Sequence, residues 1–189
     1  MYTWSKGSEA TWPTWQATCF KSVNTMIRRL YIIRHGKSSW DHHGLEDIDR
    51  PLADRGIRNA GDMAERLLEA GLIPRLIFSS PANRALNTAL IMSKSWGLGP
   101  EQLQIHEPLY DAYPSDIQEV VEGAPAEITD LAIYGHNPSF TVYANGFLEY
   151  PLGNLPTAGV VIVTLESDSW EGIGRQHVKE TYVDYPKRK

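Results

Sequence analysis

Leu30-Tyr31-Ile32-Ile33-Arg34-His35-Gly36-Lys37-Ser38-Ser39-Trp40 is the stretch on which the reading of this chain turns. It begins as a short apolar run rich in β-branched and aromatic residues, the pattern of a buried strand. It stops abruptly at a guanidinium, an imidazole and a glycine. A cation and an imidazole at the end of a buried strand are costly unless they line a site. Gly36 permits a sharp turn there and a close approach of the backbone to whatever binds. In an open α/β sheet, ligands bind beyond the carboxyl ends of the strands. The rest of the sequence is therefore searched for partners of Arg34 and His35.

Two further segments have the same form. Arg75-Leu76-Ile77-Phe78-Ser79 reads as a strand, followed at once by Ser80-Pro81-Ala82-Asn83-Arg84. Ser80 suits a helix N-cap and Pro81 the first helical position. Arg84 then falls in the first turn of a helix running to about Trp96, where guanidinium and helix dipole both attract an anion. Asp130-Leu131-Ala132-Ile133-Tyr134 reads as another strand, ending in Gly135-His136-Asn137-Pro138. Asn137 can cap the following helix and Pro138 can start it. Three strand ends thus offer two arginines and two histidines around one spot, with bidentate donors for a phosphoryl group.

Between these segments, strands and helices alternate. Ile57, Ala60, Ala64, Leu67 and Leu68 share one face of a helix after Pro51, and Gly71 suits its C-terminal end. Gln104–His106 reads as a short strand, Ile117–Glu122 as a short helix, Val160–Leu165 as a strong strand and Arg175–Tyr182 as a final edge strand. The alternation predicts one α/β domain: a mostly parallel central sheet flanked by helices in three αβα layers. Residues 28–189 form that domain. Residues 1–27 carry three of the six tryptophans, many Ser and Thr and no clean periodicity, and read as a disordered extension. They contain no apolar core of a secretory signal. An organelle transit peptide and a start codon assigned too early are the other readings.

The totals bound the function. With 189 residues the chain can bury a sizeable core, and its net charge of −5 speaks against nucleic acid as a partner. No apolar run reaches the ~20 residues of a membrane span. Cys19 stands alone, so no internal disulfide forms. A reducing compartment is compatible, and the expected location is cytoplasmic, with organelle targeting by residues 1–27 left open.

In order along the chain, Arg34-His35-Gly36 with Ser38 and Trp40, Pro51-Leu52 with Gly56, Ser79-Ser80-Pro81 with Arg84-Ala85 and Thr88-Ala89, and Gly135-His136-Asn137 resemble the histidine phosphatase (phosphoglycerate mutase-like) superfamily. The resemblance spans residues 30 to about 165. It is nearest to the small SixA-like phosphohistidine phosphatases, which lack the large helical insert of mutases and phytases. It implies a phosphoglycerate mutase-like fold and a nucleophilic His35 that forms a covalent phosphohistidine. Arg34, Arg84 and His136 would hold the phosphoryl oxygens, with Gly36 and Ser38 also at the phosphate. Neither a metal nor another cofactor is implied.

The chain departs from the family pattern in places. Asp41 stands where many relatives carry Asn, and Ala53 where relatives often have a Ser or Thr helix cap. The general acid is the least defined role. Leu109-Tyr110-Asp111 occupies the place of a Leu-x-Glu segment, so Asp111 is the first choice and Glu107 the second. The segment between Arg84 and His136 is too short to add a lid to the elements it must hold. The site should therefore be open and accept phosphate on a protein side chain, foremost phosphohistidine. The alternatives are a small-molecule phosphomonoesterase of the same family and a non-catalytic phosphate-binding module.

Other chemistries fit less well. Gly36-Lys37-Ser38 mimics the end of a P-loop, but Tyr31 stands where that loop needs glycine. Cys19 lacks an arginine six residues on, where Thr25 stands, so the cysteine phosphatase loop fails. His42, His43, Asp47 and Asp49 show no established metal-ligand spacing. Oligomeric state is not legible in the sequence.

Overall fold

The computed structural model describes residues 26–41 and 44–187. Residues 1–25, with Cys19, and the pair His42–His43 lie outside the described residues. Among the described residues, six strands form one mixed sheet in the order β3-β2-β4-β1-β5-β6: β1 Met26–Arg34, β2 Leu76–Ser79, β3 Leu103–Ile105, β4 Asp130–Gly135, β5 Val160–Ser167 and β6 Val178–Asp184. The pairings β1–β4, β2–β4 and β2–β3 are parallel, while β5 pairs antiparallel with both β1 and β6. Strand β1 begins at Met26, so Met26 and Ile27 belong to the sheet rather than to the N-terminal extension.

Among the described residues, four α-helices cover the two faces: α1 Asp54–Glu69, α2 Asn83–Ser95, α3 Pro114–Glu122 and α4 Ser139–Asn145. The period of two along β1 decides which face each side chain serves. Tyr31 and Ile33 pack with Met63, Ala64, Leu67 and Met92 of α1 and α2. Leu30 and Ile32 pack with Ile117 and Val121 of α3 and with Phe140 of α4. Strands buried on both faces read as continuous apolar runs, and β4 is buried along its whole length. Each fully buried Leu or Ile contributes about 1.5–3 kcal/mol.

Several local expectations shift. Ile57 and Leu68 are exposed on α1, whose inward face is Gly56, Ala60, Met63, Ala64 and Leu67. Ala60, Ala64 and Leu67 face inward as expected, and the stripe differs at its ends, where Gly56, not Ile57, meets the loop after β1 and Met63, not Leu68, is buried. A β-carbon at Gly56 would collide with the Lys37 backbone, whose nitrogen lies 2.9 Å from that point. Glycine is needed there for close approach. Helix α2 starts at Asn83 with Ala82 as its N-cap, so neither Ser80 nor Pro81 takes the expected place. The final edge element is strand only from Val178, after a 3-10 turn at Arg175–His177.

Candidate active site

Register alone brings three strand ends to one level. Arg34 of β1 pairs with Gly135 of β4, and Ser79 of β2 pairs with Tyr134. The ladder continues one step: His35 N–H donates to the Gly135 carbonyl at 3.1 Å, and Ser80 N–H to the Tyr134 carbonyl at 3.0 Å. His35, Ser80 and His136 therefore leave the sheet side by side. A cleft of about 250 Å³ opens there, lined by Arg34, His35, Lys37, Ser38, Trp40, Arg50, Arg84, His136, Asn137 and Thr157.

His35 is buried, and its Nδ1 lies 2.7 Å from the Gly36 carbonyl oxygen. A carbonyl can only accept, so Nδ1 carries the hydrogen in the neutral ring and Nε2 keeps its lone pair. Burial lowers the His35 pKa to about 4, and Arg84, Arg34 and Arg50 push in the same direction against the raising effect of the Gly36 bond. The ring is therefore neutral at pH 7.

His136 faces it, with ring centroids 5.0 Å apart. Its Nε2 lies 2.8 Å from Ser80 Oγ, and its buried Nδ1 has no hydrogen-bond partner among the described residues. Burial, then the neighbouring His35 and Arg84, lower its pKa to about 3. Arg34 donates from Nη1 to the Leu155 carbonyl at 2.8 Å, and its buried Nε is unpartnered among the described residues. Unsatisfied buried polar groups are rare in native proteins, and these two leave bonding capacity at the cleft for water or a bound group.

Arg84 sits in the first turn of α2, as the sequence indicates, and is buried. Its guanidinium is held by Asp47, with Nη1 on the Asp47 carbonyl at 2.5 Å and Nη2 on Oδ2 at 2.7 Å. Asp47 also accepts from Arg50 Nη1 at 2.9 Å and from the Tyr110 hydroxyl at 3.1 Å. Burial raises its pKa, but the bonds from Arg50 and Arg84 outweigh burial and hold it at about 2. Arg50 further donates to Ser38 Oγ at 2.6 Å and stacks over the Trp40 ring.

The loop carrying Asp47 and Arg50 is clipped at its base. Ala53 N–H donates to the Lys37 carbonyl at 2.8 Å and Ser39 N–H to the Pro51 carbonyl at 2.9 Å. That pairing sets residues 44–50 beside the end of β1, where Asp47 meets Arg84 and Arg50 meets Ser38. Sequence reading named Asp47 only within a metal-ligand set and did not name Arg50. The signal for both was a polar loop flanked by the Lys37–Ser39 and Pro51–Ala53 segments, whose pairing no periodicity reveals. Among the described residues no group of three His, Cys, Asp or Glu could hold a metal ion.

Other expected residues take different places. Gly36 lies behind His35: its N–H donates to Thr88 Oγ1 at 2.9 Å and its carbonyl takes Nδ1. Both of its backbone groups are thus engaged by His35 and Thr88. Ser38 lines the cleft, its hydroxyl engaged by Arg50. Asp41 accepts from Ser39 Oγ at 2.7 Å and is exposed. Asp111 lines a neighbouring cleft that shares His136 and Asn137, and it does not line the cleft of His35 and Arg84. Glu107 is exposed in a 3-10 turn. Tyr110, between them, is the residue of that segment that reaches the cationic cluster. Ser80, expected as a helix cap, instead accepts from Ala82 N–H at 3.3 Å and steadies His136.

Residues 30–118 match the model of the histidine phosphatase superfamily, branch 1. An uncharacterized chloroplastic protein of Arabidopsis thaliana is 30% identical over 159 residues, covering 79% of this chain and 72% of the relative. A 2,3-bisphosphoglycerate-dependent phosphoglycerate mutase of Leifsonia xyli is 26% identical over 131 residues, covering 52% of this chain and 53% of the mutase. A solved structure of a SixA protein from Agrobacterium tumefaciens superposes with a TM-score of 0.65 at 25% identity, covering 75% of this chain and 92% of that one. With the order of its motifs, its sheet and these likenesses in agreement, the chain belongs to the histidine phosphatase superfamily, with the phosphoglycerate mutase-like fold of the SixA proteins.

Proposed function

We propose that this protein is a metal-independent phosphatase that works through a covalent phosphohistidine on His35, and that its substrate is phosphohistidine on a protein. The observation that carries the mechanism is the Nδ1 bond of His35 to Gly36, which leaves Nε2 with its lone pair in a cleft lined by Arg34, Arg84 and His136. In this reading Nε2 forms a bond to phosphorus as the bond to the leaving nitrogen breaks. The leaving imidazole takes a proton from solvent, and water then cleaves the phosphoenzyme to inorganic phosphate. The arginines and His136 bind the phosphoryl oxygens, so catalysis is positioning plus charge stabilisation.

The lining of the cleft supports this choice of substrate class. No carboxylic acid lines it among the described residues, and Asp47 at its edge, with a pKa of about 2, is ionised and has no proton to give. Alkyl phosphates need a placed acid to expel an alkoxide, whereas a phosphoramidate leaves once its nitrogen is protonated. The open cleft admits a side chain presented by a protein. The likeness to a SixA protein supports the same substrate class.

The test is labelling with ³²P-phosphohistidine peptide. An acid-labile, base-stable phosphoenzyme in the parent protein, absent in folded His35→Ala, supports the mechanism. Full turnover in His35→Ala overturns it. Much higher kcat/KM on a small sugar phosphate than on any phosphohistidine peptide would replace the substrate class with the small-molecule reading.

A further inference from the structure

We infer that a second cleft beside the phosphoryl pocket, bounded by Arg34, Lys37, Arg55 and Lys187, is a subsite for a second oxyanion carried by the substrate. The inference rests on the phosphatase reading above and deepens it. The cleft has a volume of about 380 Å³ and no carboxylate among its lining residues. It shares Arg34, Lys37 and Thr157 with the phosphoryl cleft, so the two are joined along one wall. One molecule can reach both.

The charges explain why a ligand is needed. In the phosphoryl cleft, Arg50 and Arg84 have Asp47 as counter-charge. In the second cleft the fold supplies none: Lys37, Arg55 and Lys187 form no ion pair among the described residues. Arg34 keeps a buried, unpartnered Nε on the shared wall. Composition does not produce this cluster, because the chain is acidic overall at −5. Position works against it as well. Arg55 lies in the first turn of α1, the positive end of the helix, where a cation is disfavoured. Asn59, one turn further along the same face, also lines the cleft and adds an amide donor. Four like charges around a concavity repel one another until an anion enters.

The shared chemistry is a second phosphate or carboxylate tethered to the reacting phosphoryl group. Its source is either a small bis-anionic molecule or an acidic side chain flanking a phosphohistidine. Titration calorimetry at low salt with methylphosphonate and with alkane-α,ω-bisphosphonates of one to six carbons probes the subsite without turnover. At one spacer length the bisphosphonate should bind about tenfold more tightly than methylphosphonate, as a tethered second contact allows. That gain should fall to under about threefold in the double variant Arg55→Gln/Lys187→Gln and persist in Arg58→Gln, an exposed residue of α1 outside both clefts.

Equal affinity for both ligand types, retention of the gain in the double variant, or equal loss in Arg58→Gln would each overturn the subsite. Failure of methylphosphonate itself to bind would instead overturn the phosphoryl pocket. A second arm compares phosphohistidine peptides with and without a flanking Glu. A preference for the acidic peptide that the double variant loses assigns the second anion to a protein substrate. A gain confined to bisphosphonates assigns it to a small molecule.

Discussion

Asp47 and Arg84 are locked together at the mouth of the cleft: both terminal nitrogens of the guanidinium bond to the one aspartate, at 2.5 and 2.7 Å. Asp47 is half exposed, whereas the Arg84 side chain is almost fully covered. The carboxylate thus stands as an internal anion at a cation proposed to hold phosphate. A phosphoryl group must share or displace it.

Asp47→Ala should therefore bind inorganic phosphate or tungstate about tenfold more tightly, the size of one charged hydrogen bond released from competition. It should also lose about 1–3 kcal/mol of stability, because the buried Arg84 keeps the backbone carbonyl of residue 47 but loses its carboxylate counter-charge until the anion arrives. Calorimetry and denaturant unfolding measure the two effects. Weaker or unchanged anion binding would show that Asp47 aligns Arg84 for the substrate and does not compete with it.

Arg84→Ala should lower kcat on the order of 10²-fold or more, as the loss of a transition-state donor does. Helix α2 should survive, since Arg84 holds no backbone partner within it through its side chain. Steady-state kinetics and circular dichroism check this. A loss under about threefold with unchanged phosphate affinity would place Arg84 outside the chemistry.

The two imidazoles predict an acid limit. Their pKa values in the fold are about 4 for His35 and about 3 for His136, below the ordinary 6.5. Between these values and 6.5 the unfolded chain binds protons that the folded chain does not. Their contribution to stability is complete above about pH 6.5 and is lost as pH falls through the folded values. Unfolding by urea at pH 7, 5.5 and 4.5 should show decreasing stability. The decrease should shrink in folded His35→Asn. On the same grounds kcat/KM should persist to about pH 4 in the nucleophile's limb, well below the range of an ordinary histidine.

Ala53 is the N-cap of α1, with φ −76° and ψ 158°, and makes no side-chain cap bond. That backbone already suits a capping hydroxyl. Ala53→Ser should stabilise the fold by about 0.5–2 kcal/mol, read as a higher Tm. An unchanged or lower Tm would mean that neighbouring groups deny the serine its rotamer.

Chelation addresses the metal-independent part of the mechanism. Activity should be unchanged by EDTA and by added Mg²⁺. Loss with EDTA and recovery with a divalent ion would bring back a metal-dependent reading, in which His42 and His43 would need to be tested directly.

The strands, their alternation with helices and four residues of the candidate site were legible in the chain because each rests on local rules. Arg34, His35, Arg84 and His136 announce themselves as polar groups directly after apolar runs or at a helix start, and parallel register brings such ends together. Periodicity finds the middle of the inward face of α1, at Ala60, Ala64 and Leu67, but misplaces its start, since the close approach of Gly56 to Lys37 is a contact between segments that periodicity does not encode. Asp47, Arg50 and the role of Ser80 were decided only in three dimensions. Asp47 meets Arg84 across 37 positions and Ser80 meets His136 across 56. A short polar loop has no hydrophobic pattern to fix its path, so the pairing of Lys37–Ser39 with Pro51–Ala53 had to place it. The sequence by itself determined which groups stand at the strand ends. The tertiary structure decided which nitrogen of His35 is free, which carboxylate holds Arg84 and which cations are left without one, because those depend on distances that the order of residues does not contain.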